Sequence, residues 1–489
     1  MPQDREIGDE LQFQLCTPAA FIPRRKSVSL AMVSNPTPID SNSIPRARAS
    51  RRELFGWAMF DFANQGYTLL IITVIFPVLF TTVIVESDDP QFRLGNLLWS
   101  VAISLSYIAV VLSGPILGAM MDYSARKKEF LFYSYLVTIL ATAGLYWVDP
   151  GMVLLAMGLL IISNIAYSMG ENFIASFLPS LGPPDELGKI SGYGWALGYA
   201  GGLVTAGFVI FFLGEPTLEN YDRIRWTGPF TAFFFLLTAI PTFLWLREPG
   251  IARSLPSGET FVSVGFSRLG RTFREIGEFR DLVLFLASVF FSMGGIYIIV
   301  AFSFIYGDQV IGWSEEVRVS MFLIVQITAA AGALLFGRLQ DRMGARGTYL
   351  ITLGTWFLAV MGIFFLDGLT HEVNRWVGQD LEPQHLFLGI GLLAGTSLGA
   401  NQSVSRAIVG LLTPESRSAE MFGFWGMFNK MAGVFGIVGL GLLQTQVGLR
   451  NAILFCAILF LAAALIALFV DLSRGRKVAR AMEERGFSD

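Results

Sequence analysis

The sequence predicts an all-α integral membrane protein whose twelve transmembrane helices form two six-helix bundles. Three observations carry this prediction. First, 53% of the 489 residues are hydrophobic and 15% are charged, with positive mean hydropathy, a balance foreign to an ordinary water-soluble chain. Second, the apolar residues come in blocks of about 20 or more, the length that crosses a bilayer as helix. Third, two short polar patterns recur about half a chain apart, as in a duplicated chain whose halves share one orientation. Inside the hydrocarbon each backbone amide must be satisfied within its own segment, so such spans are helices; a β-barrel would need short alternating strands.

Residues 1–52 are polar and rich in Pro, Ser and Arg, and they lack the apolar core of a signal peptide. They read as a disordered basic cytoplasmic tail, with Met32 a plausible second start. Spans are predicted near 54–82, 94–120, 128–148, 152–178, 188–213 and 228–247, giving an N-terminal bundle over 53–247. A second set near 281–307, 315–339, 347–368, 384–411, 417–444 and 450–472 gives a C-terminal bundle over 281–472. Between them, 248–280 is a linker in which Phe266, Leu269, Phe273 and Ile276 share one helical face and Arg268, Arg271 and Arg274 the other. That pattern predicts an amphipathic helix on the membrane surface. Residues 473–489 form a second tail. With the N-terminus inside, 28 of the 35 Lys and Arg fall at inner segments, Arg406 near the inner end of the tenth span counted among them, and 6 on outer loops, which leaves Lys430 as the one placed mid-helix. This bias predicts that both termini are cytoplasmic.

The repeated patterns are specific. Gly114-Pro115-Ile116-Leu117-Gly118-Ala119-Met120-Met121-Asp122, followed by Tyr123-Ser124-Ala125-Arg126-Lys127-Lys128, closes the second apolar run. A weaker copy, Gly337-Arg338-Leu339-Gln340-Asp341-Arg342-Met343-Gly344-Ala345-Arg346, closes the eighth. Each keeps a Gly, three residues, an Asp and then basic residues. Independently, Pro184-Asp185-Glu186 stands eleven residues before Trp195, and Pro414-Glu415 eleven before Trp425.

The Gly-x3-Asp turn with its basic tail resembles the loops between helices two and three and between helices eight and nine of the major facilitator superfamily. Trp57-Ala58-Met59-Phe60-Asp61-Phe62-Ala63-Asn64-Gln65, Ser191-Gly192-Tyr193-Gly194-Trp195-Ala196-Leu197-Gly198-Tyr199 and Phe422-Gly423-Phe424-Trp425 resemble its vacuole-effluxer-like branch. The likeness runs over roughly residues 52 to 475. It implies the major facilitator fold, with helices one, four, seven and ten around a central cavity. It also implies gate latches at the membrane surface: Gly118, Asp122 and Arg126 in one copy, Gly337, Asp341 and Arg346 in the other. Ala125 stands where the family turn usually has Gly, and Ala345 where it has its first basic residue. Turn stabilisation without gating is the alternative role.

Ionisable groups at bilayer depth are costly unless they face a cavity or a partner, so each is a functional candidate. Asp61, Asn64, Gln65 and Thr68 follow at i, i+3, i+4 and i+7 and give the first helix one polar stripe. Asn164, Ser168 and Glu171 do the same for the fourth. The tenth offers Ser397, Asn401, Gln402 and Arg406, the eleventh Asn429 and Lys430. The expected substrate and proton pathway holds Asp61, Asn64, Gln65, Asn164, Glu171, Asn401, Gln402, Asn429 and Lys430. Asp61 or Glu171 is expected to carry a proton, or to pair with Lys430 in one state and release it in another, since an approaching cation lowers a carboxylate's pKa. An ion pair that only fixes packing is the alternative. Glycines such as Gly192, Gly198, Gly202, Gly433 and Gly436 provide small-xxx-small spacings for close helix approach, and Trp195 and Trp425 read as packing or interfacial residues.

Two Cys, Cys16 and Cys456, and two His, His371 and His385, give no metal spacing, no disulfide framework and little room for His-based catalysis. The sequence contains no Gly-x4-Gly-Lys-Ser/Thr, no His-Glu-x2-His and no Gly-x-Ser-x-Gly. An enzyme is therefore not expected, nor a cofactor; the drive would be a proton or other ion gradient. The expected function is secondary active transport by alternating access of a small polar metabolite, with amino-acid efflux implied by the branch resemblance. A transporter-like receptor that binds a ligand without moving it is the rival. The expected partners are the lipid bilayer and a small polar substrate, and no nucleic acid. The expected location is the bacterial inner membrane or, in a eukaryote, the vacuole or another endomembrane.

Overall fold

A computed structural model describes residues 48–86, 92–214, 217–250, 258–378 and 380–486, all within the compact unit Arg46–Asp489. The expected tail up to residue 47 and part of the linker, 251–257, lie outside the described residues. Among the described residues every regular element is helical. Twelve long helices follow in order: α1 Arg51–Ile84, α2 Arg93–Ser124, α3 Lys127–Trp147, α4 Val153–Ser180, α5 Leu187–Leu213, α6 Tyr221–Trp245, α7 Arg280–Tyr306, α8 Glu315–Met343, α9 Ala345–Phe364, α10 Pro383–Leu412, α11 Glu415–Val447 and α12 Leu449–Ala467. Eleven of them are long and apolar enough to cross a membrane. The exception is α10, which has the length, at 30 residues, but is diluted by Ser397, Asn401, Gln402 and Arg406. Ser397, Asn401 and Arg406 are buried against other helices rather than offered to lipid.

Helix α1 begins inside the stretch expected to be tail, because Ser50 Oγ accepts the Glu53 amide at 3.2 Å and caps the first turn. Farther along, Pro77 removes a backbone donor, and the helix accommodates it with π-type turns at Thr68–Thr73 and Phe80–Ile84. The C-terminal stretch, also expected as a tail, is a helix over Leu472–Gly486. Arg474 fixes it to the start of α7 with two bonds of 2.7 Å to Asp281.

The packing repeats itself. Helices α1 and α5 pair, as do α7 and α11; α2 and α4 pair, as do α8 and α10. The contacts α3–α4, α3–α6 and α1–α6 recur as α9–α10, α9–α12 and α7–α12. Between the halves α5 meets α8 and α10, and by the same operation α11 meets α2 and α4. This is the six-plus-six duplication that the sequence echoes predicted.

The linker helix, Phe261–Arg274, is capped by a reciprocal Thr260–Ser263 box. The side it packs on the protein is separate from its Phe266 side. Val264, Gly265 and Thr272 face inward against α2 and α11, while Phe266 is 56% exposed and Ile276, beyond the helix end, 45%. The Phe266 side is thus left on the outer surface, where a bilayer would meet it. The surface carrying this helix and the Leu472–Gly486 helix is called the linker face below.

Candidate functional site

On the linker face the halves meet backbone to backbone. A Cβ on Gly118 would lie 2.2 Å from the Ala419 carbonyl oxygen, and one on Gly337 2.6 Å from that of Gly188. Only glycine lets α2 approach α11, and α8 approach α5, this closely. An aspartate seals each contact. Asp122 accepts the amides of Ala419 and Glu420 at 3.1 and 2.9 Å, and Asp341 those of Gly188 and Lys189 at 3.1 and 2.9 Å. Each carboxylate therefore sits on the first turn of a helix from the other half, where free amides and the helix dipole favour an anion.

The cations differ from expectation. Arg126 lies in the loop and pairs on the surface with Glu129 at 3.7 Å. Its neighbour Lys127, the first residue of α3, turns inward to Asp122 at 2.9 Å, with the two side chains 4% and 0% exposed. Lys127 Nζ also donates to Ser418 Oγ, and its amide donates to Glu248 Oε1 at 2.7 Å. In the second copy Arg346 donates to the Val470 carbonyl at 3.1 Å. Among the described residues no cation lies within ion-pair distance of Asp341. The linker helix joins the first seal: Thr272 Oγ1 donates to the buried Glu420 carboxylate, and Arg417 pairs with Glu275 at 2.8 Å.

Deeper in the membrane two ion pairs cross between the halves. Asp61 of α1 meets Arg406 of α10 at 2.8 Å, and Glu171 of α4 meets Lys430 of α11 at 3.4 Å. The first is saturated. Arg406 also donates to Ser191 Oγ and to the Ser191 carbonyl at 3.0 and 2.9 Å. Its guanidinium lies between the rings of Trp57 and Trp195, 4.7 and 5.2 Å from their centres. The second is looser: Glu171 is 31% exposed, takes the Tyr167 hydroxyl at 2.9 Å, and faces an ammonium 5.0 Å over the Tyr107 ring. Asp61 therefore has Arg406, not Lys430, as its cation.

The remaining pathway candidates separate into two groups. Asn164 donates to Ser106 Oγ at 2.6 Å and Asn401 to Thr352 Oγ1 at 3.2 Å, so both tie helices together within one half. Gln402 accepts the Tyr199 hydroxyl across the α5–α10 contact, and Gln65 lies beside Gly198 of α5. Asn64 Oδ1 and Asn429 Oδ1 are buried without a partner, as are Ser168 Oγ, Asn172 Nδ2 and Trp425 Nε1. Buried polar atoms are nearly always hydrogen-bonded, so this unmet capacity near Glu171 and Lys430 is a set of groups that a water or a polar ligand would satisfy. Sequence reasoning missed the inward role of Lys127 and the partnership of Arg406 with Trp57 and Ser191. The one signal for the latter was that Arg406 is the sole ionisable residue in the body of α10.

Two equivalent sets of six helices, closed on one face and bridged by buried charges, define a secondary transporter of the major facilitator superfamily. Among solved structures, the proton:xylose symporter XylE superposes with a TM-score of 0.64 at 14% identity, covering 88% of this chain and 98% of that one. A bacterial homologue of the iron transporter ferroportin, in an outward-facing state, gives 0.62 at 12%, covering 85% and 98%. Within the superfamily, the chain matches the family described as "Vacuole effluxer Atg22 like" over residues 97–187 and 183–480, and it belongs to that family. It is 25% identical over 421 residues to the MFS-type transporter YxiO of Bacillus subtilis (strain 168), covering 85% of this chain and 94% of the relative. It is 24% identical over 331 residues to autophagy-related protein 22-1 of Penicillium rubens, where it covers 62% of this chain but only 55% of the fungal protein.

Proposed function

We propose that this transporter exports a small zwitterion, an amino acid, by proton-coupled alternating access, with the linker face and both termini in the cytoplasm. The observation that carries the reading is the Glu171–Lys430 pair, a carboxylate and an ammonium supplied by opposite halves and partly open. A zwitterion replaces both partners at once: Lys430 takes its carboxylate and Glu171 its ammonium, so no charge is stranded in the bilayer. The unmet groups on Ser168, Asn172 and Asn429 supply its remaining hydrogen bonds. A proton taken up by Glu171 removes its hold on the substrate ammonium and so couples proton binding to release. Asp61 and Arg406, locked by Ser191 and two indoles, act as a brace that breaks when the halves rock. The Asp122 and Asp341 caps hold the linker face shut, and substrate then leaves through the opposite face. Membership of a family described as vacuole effluxers supports the transport of a solute across a membrane.

Purified protein in proteoliposomes loaded with labelled amino acids, under an imposed pH gradient, provides the test. Efflux of at least one amino acid that collapses with the gradient, and in Glu171→Gln and Lys430→Gln, supports the reading. Flux that is unchanged in both variants, or binding without flux as in a receptor, overturns it.

A further inference from the structure

A cavity of about 480 Å³ opens on the linker face, away from the central pathway, where the first turns of α1 and α3 meet the end of α6. Ser50, Arg52, Lys128, Trp245, Arg247 and Glu248 are among its lining residues. Its acids are already engaged. Glu248 takes the amides of Lys127 and Lys128 at 2.7 Å each, and the neighbouring Glu53 takes the Arg247 amide at 3.2 Å. Its cations are not. Arg52 and Arg247 are exposed, and neither has an acidic partner within ion-pair distance among the described residues. Lys128 Nζ makes one bond, to the Leu246 carbonyl at 2.8 Å, which leaves two N–H groups available. Three cations thus surround a space whose single carboxylate is turned to backbone. Beside it, on the outer surface, lie Phe55 and Trp245 with ring centres 5.9 Å apart, 47% and 39% exposed, and Leu244, 68% exposed.

We propose that this cavity binds the phosphate of an anionic phospholipid in the linker-face leaflet, with the acyl chains lying along Phe55, Trp245 and Leu244. A soluble phosphate would need the cations alone; the apolar flank below them is what a lipid uses. The site also reaches the gate. Lys128, in the cavity, is followed backwards by Lys127, which pairs with Asp122, and Glu248 holds both amides. A phosphate on Lys128 therefore steadies the first turn of α3 and, through it, the first seal.

The test uses the full chain in a neutral detergent, melted with added short-chain phosphatidylglycerol, short-chain phosphatidylcholine or inorganic phosphate at equal concentration. Binding to the folded state raises the melting temperature. Phosphatidylglycerol is expected to raise it by a few degrees, the other two not. The rise should vanish in Arg52→Gln/Arg247→Gln, both exposed positions, and persist in Arg375→Gln/Arg450→Gln, which removes two exposed cations elsewhere on the surface. An equal rise with phosphatidylcholine, or one that survives Arg52→Gln/Arg247→Gln, overturns the proposal. An equal rise with inorganic phosphate overturns it in favour of a soluble anion. Should the cavity double variant melt without a clear transition, phosphatidylglycerol retained on Arg247→Gln alone, read by native mass spectrometry, decides: retention at the wild-type level overturns the site, and loss supports it.

Discussion

Asp122 and Asp341 stand at equivalent places in the two halves, and each accepts two amide protons from the first turn of a helix in the other half, at 3.1 and 2.9 Å in both cases. Around them the chemistry diverges. Asp122 also holds Lys127, and its neighbour Glu420 is tied to the linker helix through Thr272. Asp341 has only the amides. Duplication has thus preserved the helix cap and let the ion pair lapse on one side. The cap is what closing the face requires, because it satisfies amides that would otherwise be buried unpaired; the lysine is an addition whose value depends on its being shielded from water.

The largest effects should come where the two copies are alike. Gly118→Val and Gly337→Val both drive a side chain into backbone carbonyls of the other half, and overpacking of this kind costs about 1–3 kcal/mol or more. Both are expected to abolish transport and to make a cysteine placed on the linker face more reactive to a membrane-impermeant maleimide. If one copy tolerates valine and keeps normal flux, the two contacts are not equivalent gates.

The aspartates should separate the copies. Asp122→Asn strands the Lys127 ammonium, which is 4% exposed, and loss of one partner of a buried pair costs about 3–5 kcal/mol. Asp341→Asn loses a charge facing a helix N-terminus, about 0.3–1 kcal/mol, and one of its two amide bonds, a bond that Asp122→Asn loses as well. Melting in detergent should show the first variant well below the second, and Asp122→Asn/Lys127→Met should recover most of the difference. Equal losses would mean that the ion pair contributes nothing beyond the cap.

A smaller contrast lies in the turn itself. Ala125 and Gly344 each follow their aspartate by three residues, and both adopt positive φ, 49° and 91°. For alanine the left-handed region costs roughly 1–2 kcal/mol, which explains why the related turns prefer glycine there. Ala125→Gly should raise the melting temperature and Gly344→Ala lower it by more, because Ala125 is in the left-handed α region (ψ 43°) while Gly344 (ψ 141°) lies in a region that essentially only glycine enters, although a Cβ there would meet nothing within 4 Å. Shifts of the same sign in both would show that contacts, not backbone conformation, set the preference.

The turn was legible because a Gly, an Asp and a break in hydropathy are local features, and repetition made them specific. The helix count was legible for the same reason, even for α10, where length outweighed its polar residues. Partners were not. Nothing in the order of residues distinguishes Arg126 from Lys127; that choice depends on which of two adjacent side chains α3 directs inward. Asp61 and Glu171 were both candidates to pair with Lys430, and the structure gives Lys430 to Glu171 and Arg406 to Asp61, since Ser191 and the indoles of Trp57 and Trp195 prepare a place for a planar guanidinium. Asn164 and Asn401 read as pathway residues by spacing, and the bonds to Ser106 and Thr352, which spacing does not reveal, show that each also ties helices within its half.

The smallest expected effect tests whether the first seal has a support that the second lacks. Glu248, just past the end of α6, caps α3 through the amides of Lys127 and Lys128, and burial pushes its carboxyl above the ordinary 4.5 despite those bonds and the two lysine charges. An acid with a raised folded-state pKa binds its proton more tightly folded than unfolded. Its contribution to stability is therefore greatest at low pH and declines as pH rises from about 4.5 through the raised value. Solvent reaches this carboxylate, so the slope should be shallow. Glu248→Gln removes the titration and is expected to flatten that part of the melting profile. At neutral pH it should give up one of the two amide bonds, since a carboxamide offers one oxygen where the carboxylate offers two. If the wild-type and Glu248→Gln profiles run parallel across this range, Glu248 does not couple protons to the α3 cap, and what sets the first seal apart from the second is Lys127 and the linker helix.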